Sequence, residues 1–190
     1  MQKGLHRLLE CPMKKEAYTI RYIPYIDDDT YAFIRAHRGN DYFLRSQKTL
    51  NWILQYPFSI SAPLAERIEK TLPVFCAETD HTQLFAVQVW SGEEMVGFYL
   101  MKQNNRCLHI LYLYYDEKGK QEVFASIRDH VKWMRIEQCV TENKEFAEYL
   151  RSQVYFPKTS STKASFSVPE NMELPEEGTI QYGDGDCFTA

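Results

Sequence analysis

The patterning of this 190-residue chain predicts an α/β (α+β) fold: one mixed, mostly antiparallel sheet flanked by helices. Three observations carry that prediction. Three β-rich runs follow one another from Leu84 to Tyr115, separated by the short polar turns Ser91-Gly92-Glu93-Glu94 and Asn104-Asn105. Gly and Asn tolerate the positive φ that short hairpin loops need, so the runs Leu84–Trp90, Met95–Met101 and Cys107–Tyr115 read as an antiparallel meander. After Asp116-Glu117-Lys118-Gly119 the apolar period lengthens from two to nearly four, with Val123, Ile127 and Val131 on one stripe and Phe124 beside it, which is a helix.

The length suits one well-buried domain. Aromatic content of 14%, with thirteen Tyr and eleven Phe, points to a packed globule. A formal net charge of −4 and the absence of a Lys/Arg run argue against nucleic acid or an anionic membrane surface as a partner. No apolar run has the length of a bilayer span. The N-terminal Leu5, Leu8 and Leu9 are broken by Glu10 and Pro12, unlike a secretory signal. Five scattered cysteines, at 11, 76, 107, 139 and 187, read as reduced thiols in a cytoplasmic protein.

Taken in order, residues 1–16 form a leading helix or junction, 17–168 the main domain, and 169–190 a C-terminal linker and tail strand. Tyr18 to Pro24 alternates as a strand with Tyr18, Ile20 and Tyr22 on one face. Asp27-Asp28-Asp29-Thr30 precedes a helix over Tyr31–His37, the aspartates favouring its N-terminus. Gly39-Asn40 breaks it from a second helix, Tyr42 to Tyr56, stopped by Pro57. Ala62–Lys70 reads as a short helix, Val74–Ala77 as a short strand and Glu78-Thr79-Asp80-His81 as a polar loop. After the meander and its helix, Ile136–Val140 is a strand, Asn143–Ser152 a helix with Asn143 as N-cap, Thr159–Ser167 a strand, and Pro169–Gly178 a linker ahead of Ile180–Phe188.

The element order strand, helix, helix, three antiparallel strands, helix, strand, helix, strand resembles the GNAT superfamily of acyl-CoA-dependent N-acetyltransferases. So do Val96-Gly97-Phe98 in the second meander strand and the Asn that opens the late helix. Leu50-Asn51-Trp52 with Pro57 is similar to a segment in the C-terminal half of tandem GNAT-like proteins, which implies a second GNAT-like lobe, or a homodimer, as partner. The resemblance implies that the third meander strand and the next strand diverge, with pantetheine bonded to strand backbone at Tyr112, Leu113, Tyr114 and Tyr115. It implies a pyrophosphate cradle at Lys118, Gly119, Lys120 and Gln121, with Asn143 beside it. It also implies acetyl-CoA or another acyl-CoA as co-substrate and a small-molecule amine as acceptor. The turn departs from the family pattern: it holds one glycine, and Asp116, Glu117 and Glu122 bring carboxylates to it.

Amine acylation needs a group that removes a proton from the acceptor and an acid for the departing thiolate. His109, mid-strand, and Glu78, with Asp80 beside it, are the candidate proton acceptors. Each has a plainer reading, a histidine satisfied in the sheet and a solvated loop. Tyr149, in the late helix, stands near the position of the family's acid. Asp184-Gly185-Asp186 offers two carboxylates, too few for a hard cation, and reads as a polar turn rather than a metal site. Two functions are consistent with the sequence: an acyl-CoA-dependent N-acyltransferase acting on a small amine, or a catalytically degenerate GNAT-like lobe serving as a binding or pairing module.

Overall fold

A computed structural model describes residues 18–55, 59–61, 77–79, 82–153, 160 and 178–184. The expected helices over 1–16 and 62–70, the strand over 159–167 and the linker over 169–177 lie outside the described residues. The main sheet has five strands: β1 (Thr19–Ile23), β4 (Thr82–Ser91), β5 (Glu94–Asn104), β6 (Cys107–Tyr115) and β7 (Gln138–Val140). They lie side by side in that order, every neighbouring pair antiparallel except β6 and β7, which are parallel. This is the mixed, mostly antiparallel sheet that the sequence predicts. A separate parallel pair joins β2 (Ser59–Ser61) to β3 (Ala77–Thr79). Glu78 and Thr79 therefore belong to a strand rather than to the expected loop, because their backbone is paired with Ile60 and Ser61.

The helices divide between the two faces. Helix α1 (Asp28–His37) and helix α2 (Gln47–Gln55) cover Ala86, Phe98, Leu100, Leu111, Tyr112 and Tyr114 with Ile26, Ile34, Leu50 and Ile53. Helix α3 (Lys120–Trp133) and helix α4 (Lys144–Ser152) cover Val87, Val89, Tyr99, Met101, Leu108, Ile110 and Leu113 on the other. The stripe Val123, Phe124, Ile127 and Val131 is fully or almost fully buried, which is what the four-residue period predicts.

Local chemistry fixes the helix ends. The Asp27 side chain accepts from the Thr30 amide and hydroxyl at 2.8 and 2.5 Å, so α1 starts three residues earlier than its apolar pattern. Asn143 caps α4 by accepting from Phe146 N at 2.8 Å, as expected. Helix α2 begins at Gln47 and not at Tyr42. The Ser46 hydroxyl accepts from Thr49 N and caps the helix there, while the preceding turn is not helical: Tyr42 N bonds the Thr179 carbonyl at 3.0 Å and Arg45 N the Phe43 carbonyl at 3.1 Å. The second hairpin turns on Asn105 (φ 53°) and Arg106, with Asn104 still paired to Cys107.

Two bulges matter for the site. The β4–β5 register slips at Val89/Trp90, making Val96 the extra residue, and the β5–β6 register slips at Leu100/Met101, making Leu111 the extra residue. Val96 and Gly97 both meet the α3 side in consequence. A Cβ on Gly97 would fall 2.2 Å from Val123 Cγ2, and one on Gly119 would fall 2.3 Å from Val96 Cβ. The glycines are places where helix and sheet touch backbone to side chain.

Candidate functional site

Strand β7 pairs with β6 only at Cys107↔Gln138, Leu108↔Cys139 and His109↔Val140. Beyond His109, no described strand follows the β7 side of β6, so among the described residues the stretch Ile110–Tyr115 borders a gap in the sheet. Backbone groups on that edge are unpaired by the sheet, and such groups bind ligands or solvent. Tyr112, Leu113, Tyr114 and Tyr115 lie along this stretch. At its Tyr115 end stands the N-terminus of α4: Asn143 Nδ2 lies 3.5 Å from the Tyr115 hydroxyl, which donates to Glu145 Oε2 at 2.6 Å.

The turn between β6 and α3 is a 3₁₀ turn, Glu117–Gly119, running directly into the helix. Asp116 uses two of its donors: its side chain accepts from Lys118 N at 3.0 Å and its carbonyl from Gly119 N at 2.9 Å. The Lys120 ammonium sits 2.7 Å from Glu145 Oε2 and 3.3 Å from Glu117 Oε2. Hydrogen bonding to Glu145 raises the Lys120 pKa, and the same bond lowers that of Glu145. Tyr115 is pushed up to about 12 by burial and by the Glu145 carboxylate it bonds. Lys118 and Gln121 are exposed at the mouth of the turn. The turn thus runs directly into a helix N-terminus, with Lys120 held by two carboxylates.

Of the candidate proton carriers, His109 lies on the α1/α2 face at the closed end of the gap. Its Nε2 is 3.2 Å from Cys107 Sγ and its Nδ1 is 3.1 Å from the Tyr182 hydroxyl. Burial, then the neighbouring Lys102 charge, hold its pKa below that of a free imidazole, so it is a neutral imidazole at pH 7. Tyr149 lies on the opposite face, packed against Phe124 and Phe146, and its hydroxyl accepts from Arg128 Nη1 at 2.8 Å. His109 and Tyr149 are therefore separated by the sheet. Glu78 lies in β3, outside the main sheet; Asp80 lies outside the described residues.

A polar cluster that the sequence did not single out lies on the α1/α2 face beside the gap. The segment 178–184 is seated there. It carries a single bridge, Thr179 to Asp41, and then a 3₁₀ turn, Tyr182–Asp184, in place of the expected tail strand. The Tyr112 hydroxyl donates to the Gly183 carbonyl at 2.8 Å, and Arg45 Nε meets Asp184 Oδ1 at 3.0 Å. Gln181 Nε2 donates to Asp41 Oδ1 at 3.4 Å, while Asp41 Oδ2 is buried with no hydrogen-bond partner. Burial pushes the Asp41 carboxyl up to about 6, offset in part by the Gln181 amide and the Tyr114 hydroxyl. Asp41 is separated from Gln181 by 140 positions in sequence, and nothing local marks either as functional.

Among the described residues no three His, Cys, Asp or Glu side chains converge on a possible metal position, and no helix is long and apolar enough to cross a membrane.

No protein-family model matches the chain, and no curated protein matches it significantly in sequence. Solved structures do. The fold is similar to an aminoglycoside acetyltransferase from an uncultured soil metagenomic sample, solved with sisomicin, at 7% identity and a TM-score of 0.49, over 80% of this chain and 97% of that one. It is also similar to a ribosomal-protein-alanine N-acetyltransferase from Brucella melitensis biovar Abortus 2308, at 11% identity and a TM-score of 0.46, over 80% and 99% of the two chains. A third is the PaiA N-acetyltransferase from Thermoplasma acidophilum in complex with coenzyme A, at 15% identity and a TM-score of 0.41, over 71% and 87%.

Proposed function

We propose that the chain is an acyl-CoA-dependent N-acyltransferase acting on a small amine. The observation that carries this reading is the end of β6–β7 pairing at His109, after which no described strand lies along that edge of β6 from Ile110 to Tyr115. A sheet closes such an edge unless something else uses it. Pantetheine amides would pair with the backbone of Tyr112, Leu113, Tyr114 and Tyr115. The pyrophosphate would meet the helix N-terminus at Lys118, Gly119, Lys120 and Gln121, with Asn143 lining the far side. Attack of the neutral amine on the thioester carbonyl expels a thiolate, and Tyr149, on the α3/α4 face, would pass it the proton that the attacking nitrogen loses, while the base works from the other face. His109 or Glu78 would remove the proton from the incoming ammonium. A cytoplasmic setting, where acyl-CoA and reduced thiols coexist, belongs to the same reading.

One observation favours a second reading, a GNAT-like lobe that pairs with another lobe or copy and does no chemistry. Lys120 is neutralised by Glu117 and Glu145, and Asp116 takes two turn donors, so a pyrophosphate must displace carboxylates to enter. Isothermal titration with acetyl-CoA and with CoA at low salt separates the two. Binding with Kd on the order of 10 µM supports the enzyme. Silence at millimolar ligand, with no thermal shift, overturns it in favour of the lobe.

A further inference from the structure

Asp41 is the one acidic side chain beside the gap that is both buried, with 8% of its surface exposed, and incompletely bonded: Oδ2 has no hydrogen-bond partner. Leaving a charged acceptor buried and unmatched is costly, and native structures keep such groups where a ligand completes them. Its sister oxygen accepts from Gln181 at 3.4 Å, the far end of hydrogen-bond range, and the Tyr114 hydroxyl is the other hydrogen-bonding neighbour of the carboxyl. The surroundings narrow the chemistry of that ligand. Asp184 is already matched by Arg45 Nε and the Tyr112 hydroxyl, so it adds negative potential without an open position. Tyr112 and Tyr114, both buried, lie near-parallel on this side of the sheet with centroids 6.4 Å apart.

We propose that Asp41 recognises the ammonium group of a primary amine, its free Oδ2 and the adjacent Tyr114 hydroxyl forming the polar end of an amine subsite on the α1/α2 face. The inference rests on the acyltransferase reading in one respect, that the amine bound here is the acyl acceptor. A single open carboxylate oxygen suits a compact ammonium. It does not suit a guanidinium, which seeks two parallel acceptors, or a divalent cation, which needs six or more oxygens. Entry displaces the long Gln181 bond, so the segment 178–184 responds to binding.

The test is an amide NMR titration of the full chain with n-butylamine at pH 7.5, with butyltrimethylammonium as control, on the natural protein and on Asp41→Asn. The expected result is saturable shifts at Asp41, Tyr114 and Gln181 with the primary amine alone, weakened about tenfold or more by D41N. A second arm on the natural protein lowers the pH to 5, which protonates Asp41 and weakens binding by a similar factor. Asp184, Arg38 and Tyr114 are the other charged or titratable groups facing it. No saturable shift, equal affinity for the quaternary amine, or binding unchanged at pH 5 overturns the proposal, whether or not D41N folds. Titration with acetyl-CoA reports separately: amine binding without CoA binding overturns the acyltransferase reading alone, and CoA binding without amine binding overturns this one alone.

Discussion

Glu145 Oε2 lies 2.7 Å from Lys120 Nζ, and this ion pair links the first turn of α3 to that of α4. The Glu145 side chain is 54% exposed and that of Lys120 20%, so solvent screens the pair and its worth to stability is small. Its effect on an incoming anion is larger, because it cancels the charge of Lys120. Glu145→Gln should leave the melting temperature within a few degrees and raise CoA affinity about three- to tenfold at low salt, the gain shrinking with added salt. Unchanged affinity in a variant of a CoA-binding protein would remove Lys120 from the pyrophosphate site.

Gly119 invites a test by substitution, yet the contact with Val96 changes what such a test reads. A Cβ there would fall 2.3 Å from Val96 Cβ. Gly119→Ala should therefore destabilise the fold by about 1–3 kcal/mol through overpacking, whatever happens to CoA. Val96→Gly removes the Cβ that the new methyl would strike, so urea unfolding of the two single variants and the double variant should give a favourable coupling energy. Additive effects would show that helix and sheet do not meet here.

The raised pKa of Asp41 fixes the direction of a pH effect. Its carboxyl titrates at about 6 in the fold against an ordinary 3.8, so the folded state binds the proton more tightly. Asp41 therefore contributes most below pH 4, and that contribution is lost as pH rises to about 6. The full effect is about 3 kcal/mol. Measured from pH 7 down to pH 4, the stability of D41N relative to the natural protein should fall by about that amount. A difference that stays flat would place the carboxylate in water.

Asn51 accepts from Ile26 N at 2.7 Å and donates to the Ile26 carbonyl at 3.0 Å, clamping the β1–α1 connection to α2. With only 6% of its surface exposed, it has no water to replace those bonds. Asn51→Ala should cost about 1–3 kcal/mol, chiefly by leaving Ile26 N unmatched, since the Ile26 carbonyl keeps its bond from Gln47 Nε2 at 3.0 Å, and Asn51→Asp should remove one of that carbonyl's two donors. Chemical denaturation of the two variants measures it. A loss below 1 kcal/mol would mean that the connection rearranges.

The sequence by itself determined the meander, the helix that follows it and the caps, because these depend on neighbours: Gly92 at φ +63° in the first hairpin, Asn143 capping α4, and Val123, Ile127 and Val131 on one stripe. The order of elements also predicted the mixed, mostly antiparallel sheet flanked by helices. Tertiary structure alone decided the rest. That β6 and β7 part after three pairs, that Thr179 pairs with Tyr42 ahead of α2, and that Asp41 is buried against Gln181 all depend on partners far away in sequence. The same holds for Gly119, a glycine that reads as a phosphate turn in sequence and meets Val96 in space. Local pattern encodes backbone conformation and which face is apolar; burial, charge pairing and an unmatched oxygen are properties of the assembled surface, which no window of sequence contains.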